Sequence, residues 1–408
     1  MLLAALVAAP LLPARATTTT TLTDLQILDQ FNVVSFTTFS STSDVEGRTV
    51  VGTNLTGGAT FYNNPGGNLA ASSYAALTVY GAATGGQINI DNGGGFVIAG
   101  GNQASITVNG NTTATTPAVV QGSNSGNITT PGGTVYLGSN SGSVNINGSA
   151  NVSLNGANTG SISTNGGTFS YTGASSGSGN RNNTTVTQVA SVTNPASTLG
   201  SFGSTFQTPL TQLSTQLAGL TANSTTSTAS GTLSFNARPS TGVAVFNVNA
   251  SVFTTGSPST VAINLDGATT VIINVTVSGC VTSTGCVLDL PSNLNFTNPT
   301  GYAETVLWNF VNATALDFST EFGGTVLAPD AEVSNADPID GSVVANSIST
   351  TGEIHEYAYT GTLPGGTISV TGQSTAAPEP ASLAVIGSGM AALGWVKRRR
   401  RSQRAAAQ

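Results

Sequence analysis

Apolar and polar positions alternate along the chain in short bursts. The β-branched runs FVIA, ITV, AVV, TVYL, VNIN and VSLN are separated by glycine- and asparagine-rich units: GAATGGQI from Gly81, GGNQASI from Gly100, GSNSGNI from Gly122, GSNSGSV from Gly138 and GANTGSI from Gly156. Successive units are offset by 19, 22, 16 and 18 residues. A recurrence of about 20 residues, with strand-formers between tight corners, is the pattern of a coiled β-solenoid. Val, Ile and Thr suit a pleated, half-buried surface. Gly and Asn tolerate the positive φ of sharp corners. A single coil cannot bury its apolar face, but stacked coils bury a continuous one. Asparagines recurring at equivalent corners are placed to form stacked amide ladders.

Two stretches change period. TLTDLQILDQF predicts a short helix capped by Thr23. TPLTQLSTQLAGL predicts a second, with Thr208 as N-cap, Pro209 at its first position, and Leu210, Leu213, Leu217 and Leu220 on one stripe that packs on the solenoid's flank. Gly173 to Asn183 reads as a loop. Strand patterns resume at GTLSFNA and run to GSVVANSI; in TVIINVTV, Val271, Ile273, Val275 and Val277 face one way and Ile272 the other. The fold class predicted is all-β: a β-helix-like solenoid body with one packed α-helix near 208–220, an N-terminal signal and a C-terminal transmembrane helix. The early coils and late strands are expected to form one elongated body with the helix inserted between them.

Charge sharpens the picture. Charged residues are only 7% of the 408 residues, and six of the ten basic ones lie in the last twelve positions. Between Thr17 and Ala377 sixteen carboxylates face three arginines (Arg48, Arg181 and Arg238), a net −13 against −7 for the whole chain. Nucleic-acid binding needs a basic footprint, so that class is excluded for the body. The opening MLLAALVAAPLLPARA has the apolar run and A-x-A ending (Ala14 to Ala16) of an export signal over residues 1–16, although no Lys or Arg precedes the run; a buried N-terminal helix is the alternative. Cys280 and Cys286 are the only cysteines. In an exported protein so close a pair points to a local disulfide, and with one distant histidine they do not complete a metal site.

Three stretches together resemble the bacterial choice-of-anchor A domains: FNVVSFTTFSSTSDVEGRTVVGTNL, VAVFNVNASVFTTGSPSTVAINLDGATTVIINVTVSG, and VLWNF to YTGTL, which includes WNF at Trp308, LAPDAEV at Leu327 and GEIHEY at Gly352. The resemblance spans most of residues 24 to 363. It implies an extracytoplasmic domain related in architecture to right-handed β-solenoids, including ice-binding-like adhesive domains, with no general enzymatic activity. The tail resembles a PEP-CTERM sorting signal: Pro378, Glu379 and Pro380, an apolar run from Ala381 to Val396, then Lys397, Arg398, Arg399, Arg400 and Arg401. Sixteen apolar residues are somewhat short of the roughly 20 that span a bilayer comfortably, and the basic cluster is a cytoplasmic stop. The resemblance implies an exosortase and, transiently, the inner membrane as partners. The boundaries expected are a signal at 1–16, the body at 17–370 and the sorting tail at 371–408.

Catalytic chemistry is hard to assemble. His355 is the only histidine. GASSG from Gly173 fits G-x-S-x-G but lacks its strand–turn–helix context, and neither a phosphate loop nor HExxH occurs. No catalytic residue or cofactor is assigned. Asp330, Glu332, Asp337 and Asp340 cluster, and Glu353 and Glu356 flank His355. They could supply the carboxylates of a polysaccharide-acting enzyme or oxygen ligands for Ca²⁺; the simpler reading is a solvated acidic surface. The leading expectation is a structural or adhesive protein of the cell surface or biofilm matrix. Glycan or ice binding is the alternative, with extracellular polysaccharide as a possible partner.

Overall fold

A computed structural model describes residues 22–66, 68–238, 242–280 and 285–363. The signal segment 1–16, the Pro378–Glu379–Pro380 motif, the span 381–396 and the basic stop 397–401 lie outside the described residues. Among the described residues no helix is long and apolar enough to cross a membrane.

The body is a β-solenoid whose coils stack almost wholly through parallel strand pairs on three faces. On the first face the ladder runs from Val243–Asn249 through Thr270–Thr276, Val306–Phe310, Thr325–Asn335 and Val343–Thr350. It then passes to Val33–Ser35 at the start of the chain. From there it continues through Thr49–Val51, Leu77–Val79, Phe96–Ile98, Pro117–Asn124, Gly133–Asn140, Ala150–Leu154 and Ser161–Tyr171 to Arg181–Gln188. Spatial order therefore departs from sequence order. The first coil sits beside the last, in the middle of the stack. The chain builds outward to one end, crosses the body through residues 189–223, and builds back from the other end. The helix lies within that crossover and against the coils, rather than between two blocks of them.

The inward columns explain the repeat. Val33, Thr49, Leu77, Phe96, Ala118, Val135, Val152 and Phe169 are in register and buried. The late coils fill their interior with rings instead, centred on Trp308, which meets Phe235, Phe296 and Phe322 and donates its Nε1–H to the Gly323 carbonyl at 2.9 Å.

α1 spans Asp24–Gln30, with Thr23 and Gln26 forming a capping box. α2 spans Thr208–Ala218. Thr208 is not its cap: it has helical φ and ψ, and a π-helical turn at Gly203–Gln207 leads into the helix without a side-chain cap. Ring packing sets this entry, because Phe206 contacts Phe31, Tyr74, Tyr80 and Phe202. The Leu210, Leu213 and Leu217 stripe is buried against the outward Ile272, Leu307, Leu327, Val344, Val34 and Val50 of the first face. Gly173 to Asn183 is also not a free loop. Ser175 and Ser178 bridge to Asn158 and Ser161, and Arg181–Gln188 is a full strand, so the stretch is one more coil.

Candidate functional site

The third residue of the corner unit is Asn in four of its five copies: Asn102, Asn124, Asn140 and Asn158. All four are buried. Each Nδ2 donates to the next Oδ1, Asn102 to Asn124 at 2.8 Å, Asn124 to Asn140 at 2.8 Å and Asn140 to Asn158 at 2.9 Å. Ala83 occupies the equivalent place one coil earlier. The glycine two residues after Asn124, Asn140 and Asn158 has a steric reason: a β-carbon at Gly142 would strike the Gly126 carbonyl oxygen. A second ladder anchors the crossover helix. Asn274 donates to Asn247 and to the Leu217 carbonyl. Asn309 donates to Asn274 and to the Ser214 carbonyl, and accepts from the Ser214 hydroxyl at 2.6 Å.

With α1, α2 and residues 192–199 covering much of the first face, the third face is left open along the first-built arm. Gln87–Ile90, Ser105–Val108, Asn127–Thr130, Ser143–Ile146 and the start of Ser161–Tyr171 lie side by side in exact register. Ile88, Ile106, Ile128, Val144 and Ile162 point inward and are buried. The alternate positions form two outward ranks: Gln87, Ser105, Asn127, Ser143 and Ser161, and Asn89, Thr107, Thr129, Asn145 and Ser163. Coil spacing of about 4.8 Å makes this a flat grid of small hydroxyl and amide groups.

At the junction of first and last coils the same face turns acidic. His355 Nδ1 lies 2.6 Å from Asp340 Oδ1 and Nε2 lies 2.9 Å from Glu353 Oε2. The hydrogen bond to Asp340, opposed by burial and reinforced by Glu353, pushes the imidazole up to about 9, so at neutral pH it is a cation donating from both nitrogens. Burial, then the hydrogen bond to Asp340, pushes the Glu321 carboxyl up. Glu46 accepts from the Glu356 backbone N–H at 2.8 Å. Burial also pushes the Glu356 carboxyl up, against hydrogen bonds from the Ala358 and Gly66 backbone.

Of the acidic residues singled out from the sequence, the fold brings Asp340 and Glu353 onto His355. Asp337 lines a shallow depression of about 340 Å³ with Glu321. Asp330 and Glu332 are exposed on a different stretch, beside a register shift between Ala328 and Glu332. Among the described residues no group of three or more His, Cys, Asp or Glu is arranged to hold a metal ion. Glu46 and Glu321 were missed by sequence reasoning; they lie far from GEIHEY in the chain and join it only through coil stacking. Cys280 and Cys286 form the expected disulfide, with Cα atoms 4.4 Å apart.

A family profile described as "Putative Ice-binding-like adhesive domain" matches residues 24–128 and 117–356, and a PEP-CTERM protein-sorting motif matches residues 376–401. No curated protein matches the chain. Among solved structures, a crystal structure of ice binding protein from an Antarctic bacterium Flavobacteriaceae aligns at 13% identity over 81% of this chain and 97% of that one, with a TM-score of 0.21. The adhesive-type domain and the sorting motif together make this an exported cell-surface protein of adhesive type. With most of its length matched, the chain belongs to the ice-binding-like adhesive domain family.

Proposed function

We propose that the protein is a non-enzymatic, choice-of-anchor A-type adhesin whose open third face holds extracellular polysaccharide in the surface or biofilm matrix. The observation that carries this reading is the flat double rank of Ser, Thr, Asn and Gln side chains along residues 87–163. Regularly spaced hydroxyls and amides match the hydrogen-bonding groups of a sugar polymer. Shape and chemistry weigh against a hydrolytic site: the best candidate carboxylates, Asp340 and Glu353, are held in ion pairs by His355. Ice binding is the second reading, favoured by the flatness of the face. The Thr positions do not recur in register through every coil, which weighs against it.

Delivery follows the tail. In this proposal residues 1–16 lead the chain out, residues 17–370 are the body, and residues 371–408 are the sorting tail. The span 381–396 and the stop Lys397 to Arg401 hold the protein transiently in the inner membrane while an exosortase cuts near Pro378, Glu379 and Pro380. Deleting 371–408 is expected to send the protein to the medium; unchanged surface retention would sink the sorting reading. For the face, Thr107→Tyr with Thr129→Tyr breaks the grid on an outward, half-buried rank. Polysaccharide retention that falls at least tenfold supports the reading, and unchanged retention overturns it. A thermal-hysteresis measurement separates the ice-binding reading.

A further inference from the structure

The two ends of the solenoid differ. At one end, Val243–Asn249 is closed by the crossover: Asn223 and Ser224 donate their backbone N–H groups to the Val245 carbonyl, and Val245 donates to Asn223 Oδ1 at 2.8 Å. On its third face an antiparallel strand, Thr225–Ala229, folds over Thr232–Asn236. The other end is Arg181–Gln188, which among the described residues pairs only with Ser161–Tyr171. Val186 is in register with Phe169, and so continues the inward column that runs back to Val33. It should be core, yet it is 46% exposed. Arg181 covers part of this end, its guanidinium 4.9 Å from the Phe169 ring centre. Open repeat ends are ordinarily given a polar cap, and open strand edges are blunted by charges or proline. Here neither device is present beyond Arg181: Asn182 to Gln188 reads NNTTVTQ.

Charge distribution says what can approach. From Asn92 to Leu265 the chain has no carboxylate, and its only charges are Arg181 and Arg238. Asp91 is the nearest preceding acid, and five coil steps separate its strand from the terminal one, about 24 Å at the usual spacing. That is more than two Debye lengths at physiological ionic strength, about 8 Å each. An otherwise strongly acidic protein thus carries one end free of its own repulsion.

We propose that Arg181–Gln188 is a self-association edge, joining two copies of this chain end to end. Arg181–Gln188 is the same bare edge on every copy, and so it can pair with its like. A twofold axis relates the copies, their terminal strands run antiparallel, and the pairing ends at a dimer instead of a filament. The two arginines, each at the start of its strand, fall at opposite ends of the paired edge. This inference is independent of what the third face binds.

Both native cysteines are in the disulfide, so an introduced thiol is unique. The full chain is prepared as Thr185→Cys, as Thr187→Cys and, as a remote exposed control, as Ser349→Cys. Each is treated with a flexible bismaleimide and weighed on a denaturing gel. Dimer from positions 185 and 187 at least tenfold above that from 349 is expected. Adding Val186→Glu, which sets like charges against each other, should remove it at least tenfold. Thr187→Lys, read through the thiol at 185, does the same from an exposed position should Val186→Glu fail to fold. Monomer from all three thiols overturns the proposal, whether the edge is bare or covered by the chain's own remaining segments. Equal dimer from all three overturns it too, because association would then be nonspecific.

Discussion

Asn140→Ala tests whether the buried amide ladder holds the coils in register. Asn140 is 2% exposed. It accepts from Asn124 at 2.8 Å, and donates to Asn158 at 2.9 Å and to the Gly142 carbonyl at 3.2 Å. Three hydrogen bonds at a net of about 1 kcal/mol each give about 3 kcal/mol. The orphaned Asn124 N–H and Asn158 carbonyl are both buried, which raises the loss to about 4 kcal/mol. Asn145→Ala, on an exposed outward rank of the same coil, is the control and should stay within about 0.5 kcal/mol of the parent. Asn140→Asp should cost more than the alanine change, since it buries a carboxylate that faces the Asn158 carbonyl oxygen with no proton to donate. Urea unfolding followed by circular dichroism reads the free energies. The Asn124→Ala, Asn140→Ala double variant should lose less than the sum of the singles, because the first change has already broken their shared bond. If Asn140→Ala falls within 1 kcal/mol of Asn145→Ala, the ladder is not a structural spine.

Leu213→Ala removes a fully packed side chain between α2 and the first face and should cost about 2 to 5 kcal/mol in the same urea assay; a loss below 1 kcal/mol would mean the helix is not docked as described. His355 has a folded value of about 9 against an ordinary 6.5. Its contribution to stability is therefore fully present below about pH 6.5 and fades as pH rises through 9. His355→Gln should flatten the stability profile across that window, and an unchanged slope refutes the ion-pair account. Reducing the Cys280–Cys286 disulfide opens a very short loop, so the chain-entropy effect is only about 2 kcal/mol; a global collapse on reduction would show that the loop does more than close on itself.

Much of the fold was legible because the repeat states its own geometry. The corner units gave the coil positions, and the asparagine in GSNSG and its relatives marked the amide ladder before any contact was known. What the pattern could not reveal was coil order. Nothing in FNVVSF or GSVVAN announces that Val33 will pair with Val343, since parallel strands of similar composition are interchangeable by pattern alone. The same blindness hid the role of Glu46, which reaches the Glu356 backbone only once that order is set. Thr208 and Pro209 looked like a helix start on local grounds. Tertiary ring packing around Phe206 overrode them and moved the start back into a π turn. The Gly/Ser stretch from Gly173 lacks apolar residues because it approaches the open end of the stack, where there is less core to bury, so composition mistook a coil for a loop.

Coil order also gives the acidic cluster a reason that needs no ligand. The early arm can stack in the order in which it is made, each coil on the one before. The late coils cannot finish until residues 343–350 find residues 33–41, some 310 positions away, a closure that is entropically costly and late. At this joint the long-range side-chain bonds concentrate. Asn32, 1% exposed, donates to the Gly341 and His355 carbonyls and accepts from the Gly47 N–H. Glu46 holds the backbone of Glu356. Hydrophobic columns are alike from coil to coil and give little discrimination between a correct join and one slipped by a coil. Directional bonds from Asn32 and Glu46 are satisfied in one arrangement alone. The His355 ring pairs within the late coils, so it is the Asn32 amide and the Glu46 carboxylate that act as the key fixing which coil closes on which.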